Sequence, residues 1–458
     1  LVEGLAEIVE ADLAFGRSEQ GHDEPVVVEF VSANPTGPLH IGHGRQAALG
    51  DAIAELLAWT GWKVMREFYY NDAGEQINRL ARSVAARRAQ LQDPAVPFPE
   101  DGYHGDYVSE IASRFPGAES GSEELRAFAV SELRAEQDRD LSDFRVRFDH
   151  YYLESSLYTD GRVEETIQRL RQAGQVYEQG GALWLRTTAF GDDKDRVMVR
   201  SNGEPTYFLP DVAYHLTKWE RGFRRAINIQ GSDHHGTMAR VRAGLQALGL
   251  PIGYPEYLLH QMVTVLRAGE EVKFSKRAGD YVTLRDLFSE VGVDVARYFF
   301  LMRRAEAQLV FDLDLALDQS DKNPVYKIQY AHARMHAIFR RASLQMSDVA
   351  AAEVALLEQP AEIELVKVLR RFPETIAEAA ARHAPHLLCK YLEEAAAAVN
   401  AWYHTGNRDE SLRVLGVEQD LSRARLLLAR AAAIVLRNGL SVLGITAPER
   451  MEHAETLT

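Results

Sequence analysis

The chain has 458 residues, of which 46% are hydrophobic; this length predicts roughly two or three domains, and no apolar run is long enough to span a bilayer. Its 67 acidic residues outnumber its 52 basic residues, and the net charge of −15 governs solubility and long-range attraction without excluding a local basic surface for nucleic acid. The single cysteine, Cys389, excludes internal disulfides and multi-cysteine zinc sites, so we expect a reducing, cytoplasmic setting.

The first segment, residues 1–16, alternates apolar and acidic residues like a surface helix and carries no secretory signal. The chain starts at Leu1 rather than at Met, inside this predicted helix. We therefore expect residues 1–20 to be the remainder of an N-terminal region.

Residues 26–43, VVVEFVSANPTGPLHIGH, predict a buried parallel strand, a rigid turn and a helix that begins near His40. This unit directs free backbone N–H groups and the positive end of a helix dipole to the carboxyl edge of a sheet. His40 and His43 share one helical face, so an anion could contact both imidazoles and the helix N-terminus at once. A nucleotide polyphosphate is the favoured candidate for that anion. For either histidine alone, a plain surface position is the alternative. Glu29 stands out as a carboxylate inside the apolar strand.

A second strand is predicted near residues 61–70 and leads into the polar string YNDAGEQ at 70–76. This string is either a capped helix start or part of a site. Residues 77–145 predict a charged, helical insertion beside the sheet, interrupted by a segment rich in Pro, Gly and Asp at 93–105.

The aromatic segment at 148–158 carries Glu154, and aromatic clusters are more often core than site. Residues 163–181 predict a helix, and residues 180–203 predict a small inserted sheet. In the following string, TYFLPDVAYHLTKW, the residues Tyr207, Asp211 and Tyr214 are spaced for one helical face. Pro210 fits the first turn of that helix, which leaves Tyr207 in the preceding loop.

A buried strand at 225–230 ends in Gly-Ser-Asp-His-His, so a second strand delivers polar groups, including Asp233, to the carboxyl edge. His234 and His235 do not indicate zinc, because adjacent side chains point to different sides and no third ligand is near. After a strand at 261–266, the loop GEEVKFSKRAG at 269–279 is either a solvated basic turn or a closing loop that stabilises pyrophosphate.

Five strings, in this order, resemble the arginyl family of class I aminoacyl-tRNA synthetases: the extended HIGH string at 26–43, YNDAG at 70–74, the lysine loop, NPVYKIQYAHAR at 323–334, and the helical segment at 426–451. HIGH alone is a weak signal, whereas the longer string in this combination is specific. In the lysine loop, Phe274 and Arg277 replace the methionine and the final serine of the family's KMSKS pattern, but both lysines remain.

The resemblance implies an α/β fold, with a Rossmann-like parallel-sheet catalytic domain at 21–315, insertions at about 77–145 and 180–203, and an all-α helical-bundle anticodon-binding domain at 316–458. It implies ATP-dependent activation of arginine to arginyl-adenylate and transfer to the 3′-terminal adenosine of arginine tRNA, with tRNA bound before activation. The implied partners are arginine, arginine tRNA and ATP with Mg²⁺ as a substrate complex. We expect a monomer with no membrane association and no tightly bound metal.

The matching positions supply the expected site residues. A guanidinium needs well-placed carboxylates. Four carboxylates lie where the sheet's carboxyl edge is predicted: Glu29, Glu154, Asp211 and Asp233. The cationic substrate is the candidate partner of Glu29. The helical domain is expected to read the anticodon through exposed aromatic and basic residues. The resemblance assigns catalysis to His40, His43, Lys273 and Lys276; ATP binding to Gly37, His40, Gly42, His43, Met262 and Lys276; arginine binding to Glu29, Ser32, Asn34, Glu154, Tyr207, Asp211 and Asp233; and tRNA binding to Tyr330, Arg334 and Met451.

Two other classes of protein share parts of this pattern. A different HIGH-type nucleotidyltransferase would have no reason to carry such a helical C-terminal part. A non-catalytic, tRNA-binding paralogue would tend to lose His40, His43 or Lys276, and all three are present.

Overall fold

A computed structural model describes residues 2–72, 74–117, 123–272 and 281–451. The strands are β1 (Pro25–Glu29), β2 (Lys63–Tyr70), β3 (His150–Leu153), β4 (Val176–Gln179), β5 (Ala182–Leu185), β6 (Arg196–Val199), β7 (Arg225–Gly231), β8 (Glu256–His260), β9 (Val263–Arg267), β10 (Glu270–Glu271) and β11 (Leu309–Asp312). The helices of the first two thirds are α1 (Gly4–Ala11), α2 (Ile41–Trp59), α3 (Glu75–Gln90), α4 (Asp106–Arg114), α5 (Glu123–Asp143), α6 (Glu154–Thr159), α7 (Arg162–Gln172), α8 (Phe208–Glu220), α9 (His235–Ala247), α10 (Leu284–Val291), α11 (Val293–Leu301) and α12 (Leu313–Leu317). The C-terminal third contains α13 (Pro324–Arg341), α14 (Pro360–Arg370), α15 (Phe372–Ala381), α16 (Pro385–Arg408) and α17 (Gln419–Val442).

The central sheet is parallel and has the strand order β3-β2-β1-β7-β8. The chain moves outward from β1 to β3, returns to β7 on the other side of β1, and then continues outward to β8. The strand order therefore reverses between β1 and β7. In doubly wound sheets, ligands bind outside the carboxyl ends of the strands at such a reversal. The predicted Rossmann-like sheet is confirmed, and its reversal lies beside the HIGH string.

Both faces of the sheet are covered, which explains why β1 is apolar without alternation. Val26 and Val28 pack into a core shared with α2, α11 and the C-terminal helices, while Val27 faces a second core with α8 and α9. Gly50 of α2 lies directly against Phe30, where a Cβ atom would come within 2.1 Å of the ring. The missing side chain thus lets α2 approach the end of β1.

Two additions are built onto the sheet. Helices α3, α4 and α5 follow the second strand and form a unit with its own apolar core. The second addition is the antiparallel sheet β4-β5-β6. The predicted helix over 163–181 is wrong beyond Gln172, because Gly174 takes a left-handed φ of 66° and the chain then enters the β4–β5 hairpin.

The C-terminal helices share one continuous apolar core with the face of the sheet that α2 covers. Helix α1 is also attached to them: the Asn438 amide of α17 donates to the carbonyl oxygens of Asp12 and Phe15 at 2.8 and 3.1 Å. Among the described residues, no helix combines the length and the apolar character needed to cross a membrane.

Candidate active site

The two histidines of the HIGH string cap the helix that they begin. His40 is the N-cap of α2, and its Nδ1 accepts the backbone N–H of His43 at 3.2 Å. Reciprocally, Nδ1 of His43 accepts the N–H of His40 at 3.3 Å, and the two rings stack with centroids 3.6 Å apart. Since both Nδ1 atoms are acceptors, a neutral ring carries its proton on Nε2. Gly42 is required here, because a Cβ atom would lie 2.8 Å from the His40 ring.

Both imidazoles are held in the neutral form. Burial lowers the pKa of His40, and burial together with the neighbouring His40 and His260 rings keeps the pKa of His43 well below its usual range. His260 is the last residue of β8, and burial lowers its own pKa to about 4. Near pH 7 the site therefore presents neutral Nε2–H donors rather than imidazolium cations.

The chain that follows the lysine loop is fastened to the HIGH string. Ile41 N–H donates to the carbonyl of Val282 at 3.2 Å, and Leu284 N–H donates to the carbonyl of Leu39 at 2.7 Å. The Tyr281 hydroxyl donates to the carbonyl of Pro38 at 2.9 Å. Lys273 and Lys276 lie outside the described residues, whereas residues 281–284, which follow them, lie beside the HIGH string.

A cavity of about 340 Å³ opens between this region and the first insertion. Residues 34–38, which we call the signature turn, form one wall together with His40 and His43. Gln76, Tyr107 and Tyr281 line the other sides. Its size and its two imidazole donors suit part of a nucleotide. Gly37 belongs to this wall, where a Cβ atom would come within 3.0 Å of the Tyr281 hydroxyl.

Between β1 and the signature turn, the backbone is strained. Val31 and Ser32 adopt left-handed φ values of 68° and 44°, which a β-branched residue rarely does. Ser32 is held there by its side chain, since its hydroxyl donates to Glu29 at 3.1 Å and accepts from the N–H of Tyr69 at 3.1 Å.

Glu29 already has a cationic partner. The ammonium of Lys218, which is 0% exposed, donates to the Glu29 carboxylate and, at 2.8 Å, to Asn228. Glu29 thus has a partner within the protein, which the sequence did not predict, and its contact with the cationic substrate stays a prediction. Helix α8 continues past Tyr214 for another turn, and this brings Lys218 beneath the end of β1.

Glu29 also acts electrostatically on Asp211, as does Glu154, and we call these three carboxylates the acidic pocket. Lost hydration, and then the charges of Glu154 and Glu29, raise the pKa of Asp211 to about 7. Burial likewise raises the pKa of Glu154, which accepts a hydrogen bond from the Tyr69 hydroxyl at 2.9 Å. The raised pKa values of Asp211 and Glu154 show that their ionised forms are disfavoured here, so a cation placed between these two carboxylates would be stabilised.

The string YNDAG has a defined part in this pocket. Asp72 accepts hydrogen bonds from the N–H and the hydroxyl of Ser155 at 3.0 and 2.6 Å, which fixes the start of α6 and thus Glu154. Gln76, three residues beyond Ala73, accepts from the Asn34 amide at 2.6 Å.

Comparisons with known proteins agree with this architecture. The family described as tRNA synthetases class I (R), catalytic domain, matches residues 5–302, and the DALR anticodon binding domain matches residues 328–451. An arginine–tRNA ligase from Thiobacillus denitrificans is 55% identical over 96% of this chain and 81% of its own length. The chain belongs to the arginyl-tRNA synthetase family. A second arginine–tRNA ligase, from Geobacter metallireducens, is 55% identical over 98% of this chain and 82% of its own.

Solved arginyl-tRNA synthetase structures have the same fold. A Campylobacter jejuni crystal structure, described as an arginyl-tRNA synthetase, superposes with a TM-score of 0.91 at 32% identity and covers 98% of this chain and 99% of its own. The Thermus thermophilus arginyl-tRNA synthetase gives a TM-score of 0.79 at 25% identity, covering 98% and 86%. The predicted fold class is thereby confirmed: an α/β catalytic part followed by a helical C-terminal part.

The remaining residues that the arginyl-tRNA synthetase resemblance assigned to substrates lie at different places around the edge. Tyr207 directly precedes α8 and is 71% exposed, with Pro210 in the first turn as predicted. Asp233 has a side chain that is 74% exposed, and its charge acts on His40 and His260, so it lies on the histidine side of the site. Met262 is exposed between β8 and β9.

The tRNA-binding residues expected from the arginyl-tRNA synthetase resemblance are not exposed as predicted. Tyr330 is 6% exposed, and Arg334 is also buried, with its guanidinium between the rings of Tyr330 and Tyr403 at 4.5 Å from each. Arg334 also donates to Asn400 at 2.6 Å, so its fork is engaged within the helical domain. Met451 packs against the Tyr330 cluster.

Sequence reasoning from the arginyl-tRNA synthetase motifs missed several residues at this site. Lys218 could have been found, because it lies four residues after Tyr214 on the face that also carries Asp211. His260 and Gln137 follow no local pattern that points to a site. Within the described parts of the chain, no group of three or more His, Cys, Asp or Glu side chains is arranged to hold a metal ion.

The Lys218–Glu29 pair yields a stability prediction for this member of the arginyl-tRNA synthetase family. Lys218→Met leaves Glu29 buried without its cation and should lower the free energy of unfolding by about 3–5 kcal/mol. The double variant Glu29→Gln/Lys218→Met should regain a large part of that loss, because no buried charge remains unpaired. Urea denaturation followed by tryptophan fluorescence measures the difference.

The matched control is Lys367→Met, which removes a lysine whose ion pair with Glu364 is exposed at the surface. It should hardly change the urea midpoint. Equal midpoints for Lys218→Met and Lys367→Met would contradict the buried ion pair.

Proposed function

We propose that the chain is an ATP-dependent arginine–tRNA ligase whose active site is the carboxyl edge of the parallel sheet around β1. The observation that carries this proposal is the acidic pocket, which lies next to a pair of neutral imidazole donors at the reversal of strand order. A cationic amino acid and the phosphates of a nucleotide are thus accommodated side by side. Membership of the arginyl-tRNA synthetase family supports the same substrates.

Arginine binds with its guanidinium in the acidic pocket. Asp211 and Glu154 accept hydrogen bonds from its N–H groups. The raised pKa values of these two carboxyl groups support this, because a permanent cation beside them would stabilise their ionised forms. Tyr207 and Tyr158 stand at the exposed side of the pocket. Ser32 and Asn34 hold the amino-acid end, which lies toward the signature turn.

ATP binds with its phosphates at His40 and His43. The arginine carboxylate oxygen attacks the α-phosphorus, a new P–O bond forms, and the bond to the pyrophosphate oxygen breaks. Nε2–H groups of the two histidines, together with Lys273 and Lys276, stabilise the negative charge that builds up on the phosphates. In the second step, a ribose hydroxyl of the terminal adenosine attacks the arginyl carbonyl, and AMP leaves with the electron pair of the mixed anhydride.

The tRNA is held by the C-terminal helices, with the anticodon at the cluster of Tyr326, Tyr330 and Met451. Tyr326 is only half-buried and stacks with Tyr330 at 6.0 Å between ring centroids. The guanidinium of Arg334 packs against the Tyr330 ring, so we assign Arg334 a structural role that supports the cluster. As in the family that the sequence resembles, tRNA binds before arginine is activated.

Three further points belong to this proposal. Mg²⁺ enters with ATP as a substrate complex and supplies charge neutralisation on the phosphates. The protein acts as a monomer, which sedimentation would measure. It works in the cytoplasm, where tRNA and the reducing conditions suited to the buried thiol of Cys389 are found.

The experiment that tests the function is ATP–pyrophosphate exchange with each amino acid, with and without arginine tRNA. We expect exchange with arginine alone among the amino acids, and only when tRNA is present. Exchange with another amino acid, or none with arginine and tRNA together, would reject the proposal.

The pKa of Asp211 predicts how arginine affinity depends on pH. The guanidinium binds the ionised carboxylate, and with a pKa of about 7 the ionised fraction falls as the pH drops. The apparent Kd for arginine should therefore rise roughly tenfold between pH 8 and pH 6, because the competent fraction falls by that factor. Isothermal titration at several pH values measures this change.

Asp211→Asn is the matched variant for that titration. It should bind arginine more weakly at pH 8 and should lose most of the pH dependence between pH 6 and pH 8. An unchanged apparent affinity for arginine would show that the pocket is wrongly assigned.

The lysine loop yields a kinetic prediction. Lys276→Ala should lower the rate of arginine activation by on the order of one hundredfold, because one electrostatic donor to the leaving pyrophosphate is lost. Lys194→Ala, at an exposed position in the second insertion, is the control and should leave the rate unchanged. Single-turnover kinetics of arginyl-adenylate formation measure the rate. A rate for Lys276→Ala within a few-fold of the wild type would count against this role.

A further inference from the structure

Gln137 of helix α5 lies outside every motif that the sequence suggested, yet its side chain reaches the signature turn. Its amide nitrogen donates to the carbonyl oxygens of Asn34 at 3.0 Å and of Gly37 at 2.9 Å. The residue is 2% exposed, so these contacts are shielded from water. One amide group thus uses both of its N–H bonds on the same turn.

The signature turn has few donors of its own. Pro35 and Pro38 have no N–H group, and the carbonyls of Thr36 and Pro38 accept from Tyr107 at 2.8 Å and Tyr281 at 2.9 Å. Because a peptide group is planar, the direction of each carbonyl fixes the direction of the next backbone atoms. One backbone hydrogen bond lies within the turn, from the Thr36 N–H to the Asn34 carbonyl at 2.8 Å, and side chains from outside supply the other donors to its carbonyls.

The same helix also contacts α10, the helix that follows the lysine loop in the sequence. Asp140, one turn after Gln137, pairs with Arg285 at the start of α10, and Asp143 pairs with Arg285 at 2.6 Å. Residues three apart lie on one helical face. A single face of α5 therefore contacts both the signature turn and the element into which the lysine loop leads.

We propose that Gln137 is a positioning residue for the activation step, which holds the signature turn so that Asn34 and the HIGH histidines meet the reacting groups in the correct geometry. It touches no substrate and acts through the two carbonyls. This inference rests on the proposed function. A displacement of about 1 Å at a reacting centre can cost on the order of one hundredfold in rate.

The first test is Gln137→Met, which keeps the length of the side chain and removes both donors. We expect kcat of arginine-dependent exchange to fall at least tenfold. KM for arginine should rise by a smaller factor, because Asn34 shifts while the acidic pocket, which other elements build, still holds the guanidinium. The Kd for arginine tRNA in filter binding should remain unchanged.

The matched control is Gln90→Met. Gln90 lies in the same insertion and donates to the carbonyl of Val96 at 2.8 Å, away from the turn. It should keep the wild-type kcat. If Gln137→Met has the thermal midpoint of Gln90→Met and a kcat within twofold of the wild type, the proposal is overturned.

A second variant separates positioning from a loss of folding. In Gln137→Glu, burial raises the pKa of the new carboxyl group, and only its protonated form can donate to a turn carbonyl. The ratio of variant to wild-type kcat should therefore rise several-fold from pH 8 to pH 6, measured well below the thermal midpoint. A flat ratio overturns the proposal. A wild type without arginine-dependent exchange would instead reject the proposed function.

Discussion

The buried ion pair of Lys218 and Glu29 sets the charge and the shape of the region above it. An ammonium and a carboxylate lose their hydration there, and their attraction offsets that cost only when the remaining polar atoms are bonded. Asn228 and Ser32 complete those bonds. Since Ser32 also accepts the N–H of Tyr69, the ion pair holds the strained residues that connect β1 to the signature turn. Its removal would affect charge and backbone together.

The site divides into two electrostatic halves. On one side, burial raises the pKa of both Asp211 and Glu154, and the Glu154 charge adds to the shift of Asp211, which favours a permanent cation there. On the α2 side, burial keeps His40 and His43 neutral, which favours donation to oxygens without adding a fixed charge. This division suits a zwitterionic amino acid with a cationic side chain, whose carboxylate would face the donors. The division thus matches the polarity of such a substrate.

Local sequence predicts the elements whose cause is local. The apolar run of β1, the prolines and glycines of the turn and the helix start at His40 all follow from nearby residues, as does Pro210 in the first turn of α8. Contacts between distant parts of the chain do not follow from local sequence. Glu29 and Lys218 are 189 residues apart, and Asn34 and Gln137 are 103 residues apart. Burial of Arg334 was also missed, because helical spacing does not reveal that Tyr403 and Asn400 receive its guanidinium.

The signature turn explains why the first insertion belongs to the site. A backbone carbonyl that is turned away from water needs a donor, and leaving it unbonded costs about 1–3 kcal/mol. The two prolines that give the turn its shape also remove two N–H groups that could have served as donors. Three successive carbonyls, from Thr36 to Pro38, therefore accept from Tyr107, Gln137 and Tyr281. Two of these donors come from the insertion, so the rigid string that identifies the active site is stable only when the insertion is folded against it.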